Sequence, residues 1–489
     1  MESGAATIMD KIKSLFRKSW FIVLLGALPV LFNILSGRAQ HTHPEANCFI
    51  IIYNHPKLPL LKLIFDPLRT DWQNYQGREL SYLIDFLDAR FIASCIRMGK
   101  AHFYSLSGII FLLAGVLAIH RGMKKLYPEK NPFLIAIPPL MYAFSNASNL
   151  LFFRSSKPAA TFGIIILFFH LAKLLKFPEK LRNFPSHILA VITMFLLPQL
   201  DRQGFFATAA IAGAAASLLL LSSTPAATFF ELTPEHRKPL LITATGATAG
   251  TLFSILSNFV IVPEIIFSLN RYRPDFSFQR LPEGSLFNVV EGCNYLLENI
   301  GYNVTTATKA AALLAGLVVL LAMLMKSFVL CKNDKFPRIV FYSFAATLVL
   351  MIICGGMMAA RHPSMLLLDV IYGGYFQPFS AVLCCFAGLF ILETPETESF
   401  FKFLLLLAAG VIISGILHVS GIRPIPGNDG GHLFLHKSTT HKTIEMLNDP
   451  QIKQSVPMPF SSTQVIYFFR NQKEYLLPLE IDNPKYKFQ

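Results

Sequence analysis

Long apolar runs recur along the chain and are separated by short polar segments. Runs of about 20 apolar residues are long enough to cross the hydrocarbon core of a bilayer. Hydrocarbon offers the backbone no water, so each run is predicted to be helical. The predicted spans are residues 20–36, 102–120, 132–152, 159–175, 187–200, 204–222, 239–268, 308–330, 338–360, 374–392 and 400–418. The expected fold class is therefore an all-α polytopic membrane protein with about 11 transmembrane helices. Residues 187–200 are short for a span and end in Leu197-Pro198-Gln199-Leu200, whereas residues 239–268 are long and contain Pro263.

Basic residues fall in alternate connections. Lys11, Lys13, Arg17 and Lys18 precede the first run; Arg121, Lys124, Lys125 and Lys130 follow the second; Lys173, Lys176, Lys180 and Arg182 follow the fourth. Arg237, Lys238, Lys332, Lys335 and Arg338 continue the same parity. Lysine and arginine in short loops mark the cytoplasmic side. The N-terminus is thus expected inside, and the run after Lys18 is read as an uncleaved first helix because no small-residue cleavage site stands out before Arg38. Residues 37–101, 154–157, 201–203, 270–306, 361–373 and the tail from Val419 are expected outside.

Two long outer loops carry their own pattern. Leu80, Leu83, Ile84, Leu87, Phe91 and Ile92 recur at helical spacing, which predicts an interfacial helix within residues 75–97 of the first outer loop. Residues 285–300 in the second long outer loop, 270–306, offer a weaker stripe of the same kind. The expected organisation is a membrane domain over residues 1–418 and a small extracytoplasmic domain over 419–489, the latter with turn signals at Gly427–Gly431.

Composition fits this reading. Hydrophobic residues make up 53% of the 489 positions and charged residues 15%, against roughly 25% in soluble domains. The formal net charge of +14 would suggest nucleic acid in a soluble chain. Here the cations sit between spans rather than in an aromatic-interleaved basic stripe, which argues against that partner. The seven cysteines form no CxxC pair, so neither a zinc site nor a disulfide scaffold is expected. Cys48 and Cys95 fall in one outer loop, where a bridge is one of two readings. Ionisable groups inside the runs are few, which disfavours a pump or ion-coupled transporter.

The densest polar cluster runs from Asp66 to Asp85 in the first outer loop and includes Asp71, Trp72, Tyr75, Arg78, Glu79 and Tyr82. Aromatic faces suit sugar rings, and a carboxylate could take a proton from an attacking hydroxyl or amine. The competing structural reading makes Asp71 an N-cap and its neighbours a solvated helix start. A second set consists of Arg154, Lys157, Arg202 and Arg361, cations in short outer loops where the positive-inside rule disfavours them. Such groups can hold a lipid phosphate or simply snorkel to headgroups. Asp201 stands beside Arg202, and His362, Tyr372 and Tyr375 stand near Arg361.

Together these residues resemble the GT-C glycosyltransferases, which include lipid A aminoarabinose transferases, protein O-mannosyltransferases and oligosaccharyltransferases. Several members carry an outer-loop Asp followed four positions later by Tyr, as at Asp71 and Tyr75, and then an Arg-Glu pair, as at Arg78-Glu79. The motif covers about 20 residues, and the topology covers the whole chain. The resemblance implies a polyprenyl-phosphate-linked sugar donor, an extracytoplasmic acceptor (glycolipid, glycan or protein) and inverting displacement at the anomeric carbon. Asp71 would be the general base. Arg202 and Arg361 would neutralise the departing lipid phosphate, seconded by Arg154, Lys157 and His362. Trp72, Tyr75, Arg78, Glu79, Tyr82, Asp201, Tyr372 and Tyr375 would line the substrate cavity. No cofactor is assigned. Trp72 stands where many members have a second acid, so a divalent metal stays open. The resemblance implies a cell-envelope enzyme of a bacterial plasma membrane. The alternatives are a flippase or transporter for a lipid-linked substrate, an O-antigen ligase or polymerase, and a non-catalytic scaffold subunit.

Overall fold

The computed structural model describes residues 2–35, 79–99, 105–146, 156–181, 183–229, 232–258 and 377–419, with a few isolated positions elsewhere. It is mostly helical. The longer helices are α1 (Glu2–Phe16), α2 (Ser19–Leu35), α3 (Glu79–Arg97), α4 (Leu106–Leu126), α5 (Pro132–Asn146) and α6 (Ser156–Lys176). They continue with α7 (Ile188–Leu196), α8 (Arg202–Leu221), α9 (Pro234–Leu256), α10 (Gln377–Glu393) and α11 (Ser399–Val419). A two-residue antiparallel pair joins Val456–Pro457 to Leu479–Glu480, with Val456 opposite Glu480.

Among the described residues, four helices are long and apolar enough to cross a membrane: Leu106–Leu126, Lys157–Lys176, Gln203–Leu221 and Pro234–Leu256. The pair Met9–Phe16 and Ser19–Phe32, bent by 80°, would make a fifth if counted as one span. Shorter apolar helices cover Phe184–Gln199, Ser380–Glu393 and Ser399–Ile413. Large apolar side chains point outward on these helices, including Leu220 (73% exposed) and Leu406 (72%). Water would penalise such a surface, whereas acyl chains accept it.

Most predicted runs appear as helices with shifted ends. The run 102–120 becomes α4, which extends to Leu126, so Lys124 and Lys125 lie in its last turn rather than in a loop. Cations there meet the negative end of the helix dipole. Of the run 132–152, residues Pro132–Asn146 form α5, and the remainder lies outside the described residues. The weak span at 187–200 is a broken element: a 3₁₀ turn Phe184–His187, then α7, then a 3₁₀ turn Leu197–Gln199 that contains Pro198. The long run 239–268 begins earlier, at Pro234 in α9, where the Thr233 backbone N–H donates to His236 Nδ1 at 3.0 Å. Apart from isolated positions such as Met325 and the short Val456–Pro457/Leu479–Glu480 pair, the expected spans 308–330 and 338–360, the second outer loop and the C-terminal domain lie outside the described residues.

Two groups of helices share α6 as a wall. On one side, α2, α4, α5, α10 and α11 enclose the largest core, which includes Ile22, Val116, Tyr142, Phe386 and Phe390. On the other, α7, α8 and α9 pack around Met194, Leu197, Ala247, Ala215 and Leu240. Ala160, Leu167 and Leu174 of α6 face the second group at sevenfold spacing, while Ile165 joins the first. That spacing keeps one helix face aligned over four turns. Close approach is bought by glycine at two crossings. A Cβ at Gly388 of α10 would strike Pro138 of α5, and one at Gly250 of α9 would strike the backbone of Met194 in α7.

Candidate functional site

The predicted interfacial helix forms as α3, starting at Glu79. It packs against α4, α6 and the Leu197–Gln199 turn. Its mooring is Asp88, which is buried. Asp88 Oδ2 accepts from Ser105 Oγ at 2.5 Å and Ser107 Oγ at 2.6 Å, and Oδ1 accepts from the Ser107 backbone N–H at 3.0 Å. Ser105 is also the N-cap of α4, its Oγ accepting from Gly108 N at 2.7 Å. A carboxylate at this position is favoured by the helix dipole. Burial nevertheless raises the Asp88 carboxyl above the ordinary carboxylate range, only partly offset by the serine hydrogen bonds. The predicted span 102–120 passes over this cap, for which Ser105-Leu106-Ser107 ahead of an apolar run is a sequence signal; nothing in the spacing identifies Asp88 as its partner.

The same end of the bundle holds a buried ion pair. Lys157 Nζ lies 2.6 Å from Asp201 Oδ2. Lys157 is in the first turn of α6, and Asp201 is the N-cap of α8, where its Oδ1 accepts from Gln203 N at 2.9 Å. Lys157, expected to help hold the donor phosphate, and Asp201, expected to line the substrate cavity, are thus brought together as an ion pair. Lys157 is not an exposed loop cation awaiting a phosphate; it is buried and bound to a carboxylate. An unpaired charge at that depth would be costly, so the partner is physically required. Arg202 opens α8 directly after the pair. Gln199 is buried in the preceding turn, and its Nε2 finds no acceptor among the described residues.

Glu79 and Tyr82 are the other expected site residues that the structure describes. Tyr82 is buried on α3. Glu79 begins the helix, and its Oε1 has no hydrogen-bond donor among the described residues. Burial pushes its carboxyl up to about 7, against a smaller opposing effect of the backbone N–H at the helix start. Asp71, Trp72, Tyr75, Arg78, Arg154, Arg361, His362, Tyr372 and Tyr375 lie outside the described residues. Among the described residues no group of three or more His, Cys, Asp or Glu side chains could hold a metal ion. Cys95 is a buried free thiol, which corrects the bridged reading of Cys48 and Cys95.

The opposite end of the bundle is basic. Tyr127 donates to Glu393 Oε1 at 2.6 Å, Lys176 Nζ lies 3.4 Å from the same oxygen, and Lys176 sits 3.6 Å from the Tyr127 ring centroid. These contacts tie together the ends of α4, α6 and α10. At the first end, Ser380 of α10 donates to Asn146 Oδ1 of α5 at 3.1 Å. α4, α6 and α10 therefore run in the same direction, with α5 antiparallel to them, between two chemically distinct ends. In comparisons with known proteins, no family model, curated protein or solved structure matches the chain.

Proposed function

We propose that the chain is an inverting glycosyltransferase of GT-C type, taking a sugar from a polyprenyl-phosphate carrier to an acceptor outside the cytoplasm. The observation that carries this reading is the docking of α3. The Asp71–Arg78 segment leads directly into α3, and α3 rests on the turn that leads into Asp201 and Arg202. Asp71 precedes α3 in the sequence, and Arg202 opens α8 at the end of the bundle where α3 rests. This end lies opposite the lysine-rich end, which the positive-inside rule assigns to the cytoplasm. In the full reading, about 11 spans carry the site on the outer face of a bacterial plasma membrane, with a small C-terminal domain beside it.

Asp71 would take the proton of the attacking acceptor group as its oxygen or nitrogen bonds to the anomeric carbon. Arg202 and Arg361 would meet the charge that develops on the leaving phosphate. Lys157 is left out of that role, because its charge is already paired with Asp201. The buried pair instead fixes the start of α8, whose first residue is Arg202.

The test is sugar release from a native polyprenyl-lipid extract by membranes containing the full chain. Wild type is expected to liberate polyprenyl phosphate. Asp71→Asn at equal abundance is expected to lower the rate by about 10²- to 10⁴-fold, the usual contribution of a positioned base. Unchanged release by that variant removes Asp71 from the role, and movement of intact lipid-linked sugar across the membrane without release would point to a flippase.

A further inference from the structure

The chain enters the bundle through a fixed elbow. α1 meets α2 at 80°, and α2 packs into the bundle against α4 and α5. His120 of α4 lies 3.0 Å from Ser19 Oγ through Nδ1 and 3.3 Å from the Phe16 carbonyl oxygen through Nε2. Lys124 Nζ donates to the Arg17 carbonyl oxygen at 3.2 Å. The Phe16 ring packs on Phe21 of α2 and Phe133 of α5, with centroids 5.3 Å and 4.7 Å away. α1 is thereby held across the end of the bundle instead of continuing along it. With α2 among the bundle helices, the bend lays α1 near the membrane plane. Trp20, 58% exposed just past the elbow, suits a headgroup boundary, where an indole ring is favoured.

The residues of α1 are sorted by face. At about 100° per residue, Met9, Ile12, Leu15 and Phe16 share one side of the helix. Next to the elbow this side is closed against the bundle by Phe16. Farther from the elbow it is uncovered: Met9 is 49% exposed and Ile12 37%. The side turned to the bundle is also the side turned to the bilayer that surrounds the bundle, so Met9 and Ile12 meet acyl chains and not water. Lys11 and Lys13 fall about 100° to either side of Ile12, and both are exposed. Lysines at the two edges of an apolar stripe lay their stems along it and lift their ammonium groups into the headgroups. Arg17 and Lys18 add two exposed cations at the elbow, and Asp10, on the far side of the helix, is the one carboxylate between Met9 and Lys18. This balance complements an anionic surface and not a neutral one.

We infer that α1 is an in-plane amphipathic anchor whose partner is the anionic phospholipid surface of the leaflet at the lysine-rich end. The anchor lies at the other end of the bundle from the proposed sugar-transfer site and does not depend on that assignment. α1 has 15 residues, a length at which a lone helix is marginal in water, so protection of its backbone reports whether a surface holds it.

The experiment is amide hydrogen exchange of the full chain, a single chain per nanodisc, in phosphatidylcholine alone and in phosphatidylcholine with about 30 mol% phosphatidylglycerol, a composition that mimics an anionic leaflet. Exchange over α1 is expected to be about 10- to 100-fold slower in the anionic discs, with α4 unchanged. The difference is expected to vanish at about 1 M salt, where the Debye length is roughly 3 Å. The double substitution K11Q/K13Q is expected to remove most of the difference, whereas K11R/K13R keeps it. M9S/I12S is expected to speed exchange over α1 several-fold in both discs. Equal exchange of wild type in the two discs, or an undiminished difference in K11Q/K13Q, overturns recognition of anionic lipid. Unchanged exchange in M9S/I12S overturns burial of the apolar side in the leaflet. Protection that appears only in discs holding two chains gives that side to a second copy and overturns the anchor.

Discussion

The two ends of the bundle treat charge in opposite ways. At the basic end lysines stand in the last turns of helices or in short connections, mostly exposed, and the Lys176–Glu393 contact is partly open to solvent. At the other end Lys157, Asp201 and Asp88 are buried, and each is held at short distance by partners from another element. The first arrangement costs little and specifies orientation. The second takes charge out of water, so it must be matched atom for atom, and it fixes where α3, α6 and α8 begin relative to one another. Lys157, read from the sequence as a cation in a short outer loop, lies buried against a carboxylate.

The largest expected effect tests that contrast directly. Asp201→Ala leaves Lys157 buried without its carboxylate and is expected to destabilise the protein by about 3–5 kcal/mol. Removing Lys176 at the other end is expected to cost less than about 1 kcal/mol. Thermal unfolding in detergent measures both, and the double substitution K157M/D201L should recover much of the loss. Equal costs at the two ends would erase the distinction.

A smaller effect is expected at Asp88. Asp88→Ala strands the Ser105 and Ser107 hydroxyls and the Ser107 N–H, at a cost of about 1–3 kcal/mol. Because the loss falls where α3 meets α4, faster proteolysis or hydrogen exchange confined to α3 is the expected readout. Uniform loosening of the whole bundle would show that Asp88 is not a local mooring.

The smallest effect is pH dependence. The folded carboxyl of Glu79 is raised from the ordinary value of 4.5 to about 7, and Asp88 is raised in the same direction. A raised carboxyl pKa contributes stability below the unfolded value, and that contribution is lost as pH rises through the folded value. The apparent melting temperature is therefore expected to fall by a few degrees between about pH 5 and pH 8. Glu79→Gln should flatten the part of that fall centred near pH 7. A melting temperature that rises over the same window would reverse the assigned burial of Glu79.

The apolar runs by themselves determined that this is a helical membrane protein, because no other structure satisfies the backbone in hydrocarbon. They also marked an amphipathic helix near residues 75–97 and the weakness of 187–200, which forms α7 between two 3₁₀ turns. Residue types near the membrane surface pointed to Lys157, Asp201, Glu79 and Tyr82. Only the tertiary structure decided what those residues do for one another. The Lys157–Asp201 pair spans 44 positions of sequence, Asp88 reaches Ser105 from a different helix, and His120 fixes an elbow more than 100 positions away. Hydrophobic periodicity reports the environment of one helix at a time. The pairing of buried charges depends on which helices become neighbours, and that is set by packing along the whole bundle.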